Sequence, residues 1–501
     1  MIWVSWIFIG FLLAVIVYDR FLSRENIMRN YPIIAHLRSL ILYSGPFLRS
    51  WLLAPDRAEK PFDRSQKEWI KNSAHQTNDH IGFGSNQSLH SLNHPILKHA
   101  AFAKAQDEYS IHRKALPLGS RKALGEFRNR AKVWLPPSVV NISGMSFGSL
   151  SGNAIKALNL GARMAGCYHN SGEGGLSPHH FQGGDLIFQF GTGYFGCRDK
   201  LGLFSLEKLQ ASLRPEVRGI EIKISQGADP NCGVLLPGIK VTEEISKARG
   251  IVAGQDCISP NRHSAFGNIS ELIQFIETLA RETGLPVGIK SAVGHMKFWD
   301  ELVEAMKAKN QGPDWITIDG GEGGTGAAPL AFADSVGLPF REGFAQVYRR
   351  FLQAGWADQV VWIGSGKLGL PERAITAFAL GVDLINVGRE AMLAIGCVQS
   401  MRCHTNKCPT GVTSQSGWRT WALQPEVQSL RFANYCRSLR NELLALTHAC
   451  GYDHPTEFTP ADIDFANGAG RLISLESICG YNKNSPPPLR PRFQSDLEFD
   501  L

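Results

Sequence analysis

No dense block of Lys or Arg occurs in this chain, and no nucleic-acid-binding motif is present. Lys and Arg outnumber Asp and Glu by 52 to 45, a net charge of +7 spread over 501 residues. So mild an excess excludes a chain organised around a phosphate backbone, and no DNA or RNA partner is expected. Cysteine is also sparse, at ten residues. That excludes a disulfide scaffold and suggests a reducing compartment. A nicotinamide-binding unit is missing as well. Gly191-Thr-Gly193-Tyr-Phe-Gly196 has GxGxxG spacing after an apolar run. Cys197-Arg198-Asp199-Lys200 follow it in place of an apolar helix start, and no acid stands where a ribose would need one. Internal repeats are lacking beyond two similar loops, SGEGG at 171–175 and GGEGGTG at 320–326.

What is abundant is glycine, 51 residues, which suggests many tight loops near a ligand. The length allows about three domains or one large barrel with additions. Four segments are expected. Residues 2–17, IWVSWIFIGFLLAVIV, carry no charge, and Tyr18, Asp19 and Arg20 end the run. No basic residue precedes it and no small-x-small cleavage site follows, so residues 1–20 read as an uncleaved single-pass membrane anchor. Arg20, Arg24 and Arg29 lie just beyond it and place the body on the cytoplasmic side of the cytoplasmic (inner) membrane. Residues 21–130 read as an amphipathic, mostly helical extension. Ile33, Leu37, Leu40 and Ile41 share one helical face there, and Leu48, Trp51 and Leu52 another. A capping box at Ser65-x-x-Glu68 is expected to start a further helix. Residues 131–445 form the main body, and 446–501 a loose tail with Pro486-Pro487-Pro488 and Arg490-Pro491-Arg492.

In the main body, apolar runs alternate with helical stretches. The runs are VVNISG (139–144), GIEIKIS (219–225), PVGIKS (286–291), DWITIDG (314–320), VVWIGSG (360–366) and DLINVG (383–388). Between them lie NAIKALNLGARMA, VTEEISKARGI, ELIQFIETLARETG, FWDELVEAMKAKN and PERAITAFALG. That alternation implies βαβ units and a parallel sheet covered on both faces. The fold class is therefore α/β, a (β/α)8 TIM barrel with the anchor and helical extension in front; a doubly wound sheet is the alternative.

Most runs end in Gly, Ser, Lys, Asp or Asn, where an α/β barrel carries its site. Gly364-Ser365-Gly366 and Gly388-Arg389 close two late strands and suit a phosphate. Ser143-Gly144-Met145-Ser146 ends the first and could face a flat heterocycle. Lys290 is a buried-strand lysine that needs a ligand or a partner such as Glu173 or Asp319. Beside a flavin it would stabilise the reduced, anionic ring. Glu173 and Glu322 sit in glycine-rich loops as candidate acids or gates, and Gln189 and Gln226 are candidate amide contacts. Cys397, Cys403 and Cys408, spaced C-x5-C-x4-C with Pro409 after the last, suit a metal or iron–sulfur site with three protein ligands.

Taken together, ISGMSFGSLSGNAIKAL, HNSGEGG, IEIKISQGADP, PVGIK, IDGGEGGTGAAP and GCVQSMRCHTNKCPTGVTSQ resemble the FMN-binding and central region of glutamate synthase over roughly residues 140–415. The resemblance implies FMN in the barrel and a [3Fe–4S] cluster on Cys397, Cys403 and Cys408. It implies reduction of 2-iminoglutarate, formed from 2-oxoglutarate and ammonia, to L-glutamate. Flavin contacts would be Ser143 to Ser146, Gln189, Lys290, Gly364 to Gly366, Gly388 and Arg389; Lys290, Glu173 and Gln226 would serve the chemistry. The sequence departs from the family in three places. No N-terminal nucleophilic cysteine precedes the barrel, so glutamine hydrolysis is not expected of it. No pyridine-nucleotide domain is seen, so electrons are expected from a partner protein. Where the family reads QGAKPG, this chain reads Gln226-Gly227-Ala228-Asp229-Pro230-Asn231. An acid there repels a dicarboxylate that a lysine would attract. Either the substrate differs or a cation such as Arg262 or Lys240 compensates. A membrane-bound electron-transfer subunit without its own turnover is the reading from another class.

Overall fold

The computed structural model describes residues 2–22, 59–77, 87–105 and 118–481, with 32–34, 36, 37, 40, 41, 80 and 82–85 between them. The chain divides into two units, Met1–Glu68 with Val398–Ser400, and Trp69–Cys397 with Met401–Leu501.

In the first unit an α-helix spans Ile2–Val17 and continues as a π-helical turn, Tyr18–Leu22. Over Trp3–Leu22 it is long and apolar enough to cross a membrane, by length and composition. The expected faces at Leu48, Trp51 and Leu52 lie outside the described residues, as do Arg24, Arg29 and the proline-rich end. The helix Arg64–His75 starts on a capping box two residues earlier than expected. Asp63 Oδ1 accepts from Gln66 N (2.9 Å) and Gln66 Oε1 from Asp63 N (3.2 Å). The same reciprocal bonding is met by an Asp–Gln pair as well as by Ser and Glu.

The second unit is a closed barrel of eight parallel strands. We number them β1 (Val140–Ile142), β2 (His169–Asn170), β3 (Leu186–Phe190), β4 (Val217–Lys223), β5 (Val287–Ser291), β6 (Trp315–Asp319), β7 (Val361–Ser365) and β8 (Leu384–Val387). β1 closes the ring, pairing Val140 with Ile385 of β8 and Ile142 with His169 of β2. Six strands fall on the expected runs; β2, two residues long and polar, shows no run, and β3 is the apolar stretch that precedes Gly191. All five expected helices form, but so do Phe340–Gln353 and the 25-residue Pro425–Ala449. The latter lies on the helix Gly152–Ala165, which Ser151 caps. They approach so closely that a Cβ on Gly161 would stand 2.8 Å from Ser429 O.

Among the described residues, parts of the extension and of the tail depart from the expected pattern. Among the described residues before 131, Arg64–His75 is the one regular α-helix of the extension beyond Leu22 that exceeds a turn or two. Its segment Pro95–Leu97 is instead a strand, pairing antiparallel with Ile463–Ala466, which pairs in turn with Leu472–Ser474. The described part of the tail, 446–481, is therefore ordered through that sheet. These strands are too short to show a period in the sequence, and their partners are distant along the chain.

The barrel interior is unusually polar above its floor. Trp315 fills the floor, and a Cβ on Gly288 would stand 2.1 Å from its ring. One layer up, the buried Glu221 carboxylate accepts four bonds: from Asn170 Nδ2 (2.7 Å), Gln189 Nε2 (2.7 Å), Trp315 Nε1 (3.1 Å) and Thr317 Oγ1 (2.6 Å). Each of its lone pairs is used, which is what allows a carboxylate to stand there.

Candidate active site

Two residues beyond Glu221 and Gly288 the interior turns cationic. Side chains alternate along a strand, so Lys223 of β4 and Lys290 of β5 point inward beside one another. Lys223 Nζ pairs with Glu173 at 2.7 Å and Lys290 Nζ with Asp319 at 3.1 Å, all four side chains buried. Burial alone pushes the Glu173 carboxyl up, but Lys223, with Arg249 and Lys290 farther off, holds it below the usual carboxylate range. Asp319 is likewise held low against burial by Lys290, the Gly227 amide and Ser365. Burial disfavours the Lys290 ammonium, yet Asp319 and Glu221 raise its pKa above the ordinary lysine value. Glu173 and Asp319 are ionised and Lys290 is protonated at neutral pH.

Above them opens a pocket of about 920 Å3, its mouth included. Twelve of the expected residues line it: Ser143, Gly144, Met145, Ser146, Glu173, Gln189, Gln226, Lys290, Ser365, Gly366, Gly388 and Arg389. Cys403 is on its wall too. Gly364 is not: it faces the helix layer, where a Cβ would meet Leu368 Cδ1 at 2.8 Å and Phe340 Cζ at 2.9 Å. Its expected ligand contact is corrected to packing, since alternation sends Ser365 inward and Gly364 out. The floor is shaped by close backbone approach. A Cβ on Gly144 would stand 3.0 Å from Gln189 Oε1, and one on Gly172 2.7 Å from Ser146 N. Gly366 has φ +118°, and Ser143 Oγ and Ser365 Oγ are 3.4 Å apart. The Arg389 guanidinium donates to the Glu322 carbonyl. Flat glycine-lined walls, inward hydroxyls, a fixed ammonium and a guanidinium at the rim suit the ring and phosphate of FMN.

The GxGxxG run has a different use. A Cβ on Gly191 would meet Glu173 Oε2 at 2.1 Å, one on Gly193 the Phe195 ring at 2.6 Å, and one on Gly196 Gly175 Cα at 2.7 Å. Gly191 and Gly196 thus seat the SGEGG loop that carries Glu173.

At the cysteine run, Cys403 opens a short 3-10 turn, Cys403–Thr405. Burial raises the Cys403 thiol, with Cys408 as a near neighbour, while Thr413 and Thr410 outweigh burial and hold Cys408 low. Lys240 Nζ donates to Ser149 O (2.7 Å) and Cys403 O (3.2 Å), and burial brings its pKa down to about 8. Among the described residues no three His, Cys, Asp or Glu side chains form a group that could hold a metal ion. The donor chemistry of this run suits a cluster; the side-chain geometry does not add to that.

Neither cation expected to offset Asp229 does so. Lys240 is committed to the cysteine run, and Arg262 is exposed. Asp229 is held instead by Gln226 Nε2 (2.6 Å) and Thr325 Oγ1 (3.1 Å), and burial raises its pKa against the pull of Lys223. Sequence reasoning missed Lys223, Glu221 and Thr325. The first two carried a signal, an acid and a lysine at i and i+2 in an otherwise apolar strand.

Comparison with known proteins gives the family. Residues 66–453 match the family model described as the conserved region in glutamate synthase. The chain is 34% identical over 488 residues to the glutamate synthase large subunit-like protein YerD of Bacillus subtilis, covering 91% of this chain and 93% of that one. It is 33% identical over 370 residues to the archaeal-type glutamate synthase (NADPH) of Thermotoga maritima, covering 73% and 69%. The flavin-binding domain of baker's yeast flavocytochrome b2 superposes with a TM-score of 0.44 at 14% identity, covering 94% and 99%, too loose a likeness to bear on chemistry. On the strength of the family match and the near full-length relative, the chain belongs to the glutamate synthase family.

Proposed function

We propose that the chain is an FMN and iron–sulfur oxidoreductase that forms L-glutamate by reducing 2-iminoglutarate. The balance is 2-oxoglutarate, ammonium, two electrons and two protons giving glutamate and water, with a separate protein as electron donor. The observation that carries this reading is the pocket itself: strand-end hydroxyls, close-packed glycines and two inward lysines on one barrel mouth. Ser143 to Ser146, Gln189, Lys290, Ser365, Gly366, Gly388 and Arg389 would hold FMN. When bound, FMN supplies two-electron reduction at an imino carbon, and a [3Fe–4S] cluster on Cys397, Cys403 and Cys408 supplies single electrons.

The chain's own residues bind, orient and hold protons. Lys290 Nζ keeps its proton and presents a fixed positive charge at the pocket floor. Lys223 Nζ stands beside it on the neighbouring strand, and Glu173 holds it there in an ion pair. Gln226 lines the same wall, its amide set by Asp229 and Thr325. The helix at Trp3–Leu22 would anchor the chain in the cytoplasmic membrane with the barrel on the cytoplasmic side.

Anaerobic purification tests this. A yellow-brown protein with flavin and iron is expected, and it should form glutamate from 2-oxoglutarate, ammonia and a reduced mediator. A colourless protein would end the proposal. Flavin that no substrate reoxidises would favour an electron-transfer subunit instead. One observation favours a second reading, in which a different oxo or imino acid is reduced: Asp229 has no cation paired with it among the described residues.

A further inference from the structure

Behind Gln226 a second cavity, of about 290 Å3 with its mouth included, adjoins the main pocket. The two share Glu173, Lys223, Gln226 and Val234. The charged groups on the wall of this side chamber are Glu173, Lys223 and Asp229, so two negative charges face one positive and the net is −1. The one positive group is already engaged, since Lys223 Nζ lies 2.7 Å from Glu173 Oε1. Asp229 is 3% exposed and bonded to Gln226 Nε2 and Thr325 Oγ1, and among the described residues no cation stands within ion-pair distance of it. Two bonds leave a carboxylate about half its acceptor capacity. The rest of the wall is neutral, with Thr192, Ser225, Asn231, Ser259 and Asn261 as its polar members. The loop is also held in an unfavourable form to put Asp229 there: Ala228 has φ 70° and Asn231 φ 55°, left-handed positions that Ala in particular avoids.

We propose that this side chamber is a subsite for protonated nitrogen, an ammonium group seated on Asp229, and that it does not take a second carboxylate. An entering carboxylate would face a buried acid with no free cation to offset it. An ammonium group would supply the missing donors and neutralise the chamber. The inference rests on the reading above only in placing the chamber beside the reacting centre. The nitrogen has two possible sources, free ammonium or the terminal ammonium of an organic substrate.

Two ligands of equal length separate carboxylate from ammonium: glutarate and 5-aminopentanoate. Each is titrated into the full-length protein, alongside ammonium chloride against sodium chloride at equal ionic strength. Binding is read by the thermal unfolding midpoint, which needs no flavin. Saturable stabilisation by ammonium beyond sodium assigns the subsite to free ammonium. Stabilisation by 5-aminopentanoate alone, with glutarate weaker by about tenfold or more, assigns it to an organic substrate. In either case Asp229→Asn should weaken the effective ligand by about tenfold and leave glutarate unchanged or tighter. Glutarate binding the parent protein more tightly than 5-aminopentanoate, with ammonium no different from sodium, overturns the proposal. So does an Asp229→Asn protein that folds and binds all ligands as the parent does. The ligand comparison on the parent stands even where the variant fails to fold. A colourless preparation sinks the oxidoreductase reading and leaves this test intact; a flavoprotein that prefers glutarate and responds to ammonium as it does to sodium sinks this proposal alone.

Discussion

Replacing Lys290 by Met removes one half of a buried pair while keeping most of the side-chain volume. Lys290 Nζ and Asp319 Oδ2 are 3.1 Å apart, with side chains 7% and 5% exposed. At that distance and an effective dielectric near 20, their attraction is about 5 kcal/mol. Desolvation of both ions cancels much of it, so the pair as a whole adds little, but breaking it strands a charge at a cost of about 3–5 kcal/mol. Asp319 retains the Gly227 N–H at 3.1 Å, which places Lys290→Met near the lower figure. Asp319→Asn should cost a similar amount by stranding the ammonium. The double variant should then be less unstable than the sum of the singles by about 2 kcal/mol or more, because neither charge is left. Urea unfolding followed by fluorescence of the buried Trp315, Trp299 and Trp362 reads this directly. Additive singles, or singles costing under about 1 kcal/mol, would show that the pair is not the coupled element described above. The pH range follows from the two shifts. Asp319 is held low, so its contribution is present above about pH 4 and lost as pH falls through its folded value. Lys290 is raised, so its contribution is present below about pH 10 and lost as pH rises beyond.

Three other outcomes are expected. Glu221→Gln turns one acceptor oxygen into a donor facing Trp315 Nε1 and Thr317 Oγ1, and should destabilise the barrel by about 2–4 kcal/mol; an unfolding midpoint equal to the parent's would refute the four-bond arrangement. Cys403→Ser should lose iron, read by metal analysis alongside the parent: equal iron content would remove Cys403 from the ligand set, whatever happens to FMN. His180, His263 and His454 are each brought down to about 4 by burial, so stability should fall as pH drops from about 6.5 toward 4 and be steady above; a flat denaturant midpoint across that window would contradict it.

Much of this was readable from local sequence, and the reason is periodicity. Six barrel strands announce themselves as apolar runs ending in Gly, Ser, Lys or Asp, because a strand covered on both faces has to be apolar along its length. The glycine-rich loops and the cysteine spacing are also local patterns, and they sufficed to name the family. Elements held by distant partners were not readable. His169–Asn170 is a strand because it lies between β1 and β3, and Pro95–Leu97 because it meets Ile463–Ala466 more than three hundred residues away.

The sequence by itself determined the alternation of strand and helix, the residue types at the strand ends and the sulfur spacing, since each depends on neighbours within a few residues. Only the tertiary structure decided which charges pair. It gave Asp319 rather than Glu173 to Lys290, gave Glu173 to Lys223, and turned Gly364 away from the pocket. It also left Asp229 without an ion-paired cation among the described residues, with Lys240 drawn to the carbonyls of Ser149 and Cys403. Coulomb energies and hydrogen bonds act over a few ångströms in space, and closing the barrel is what brings strands far apart in the chain within that range.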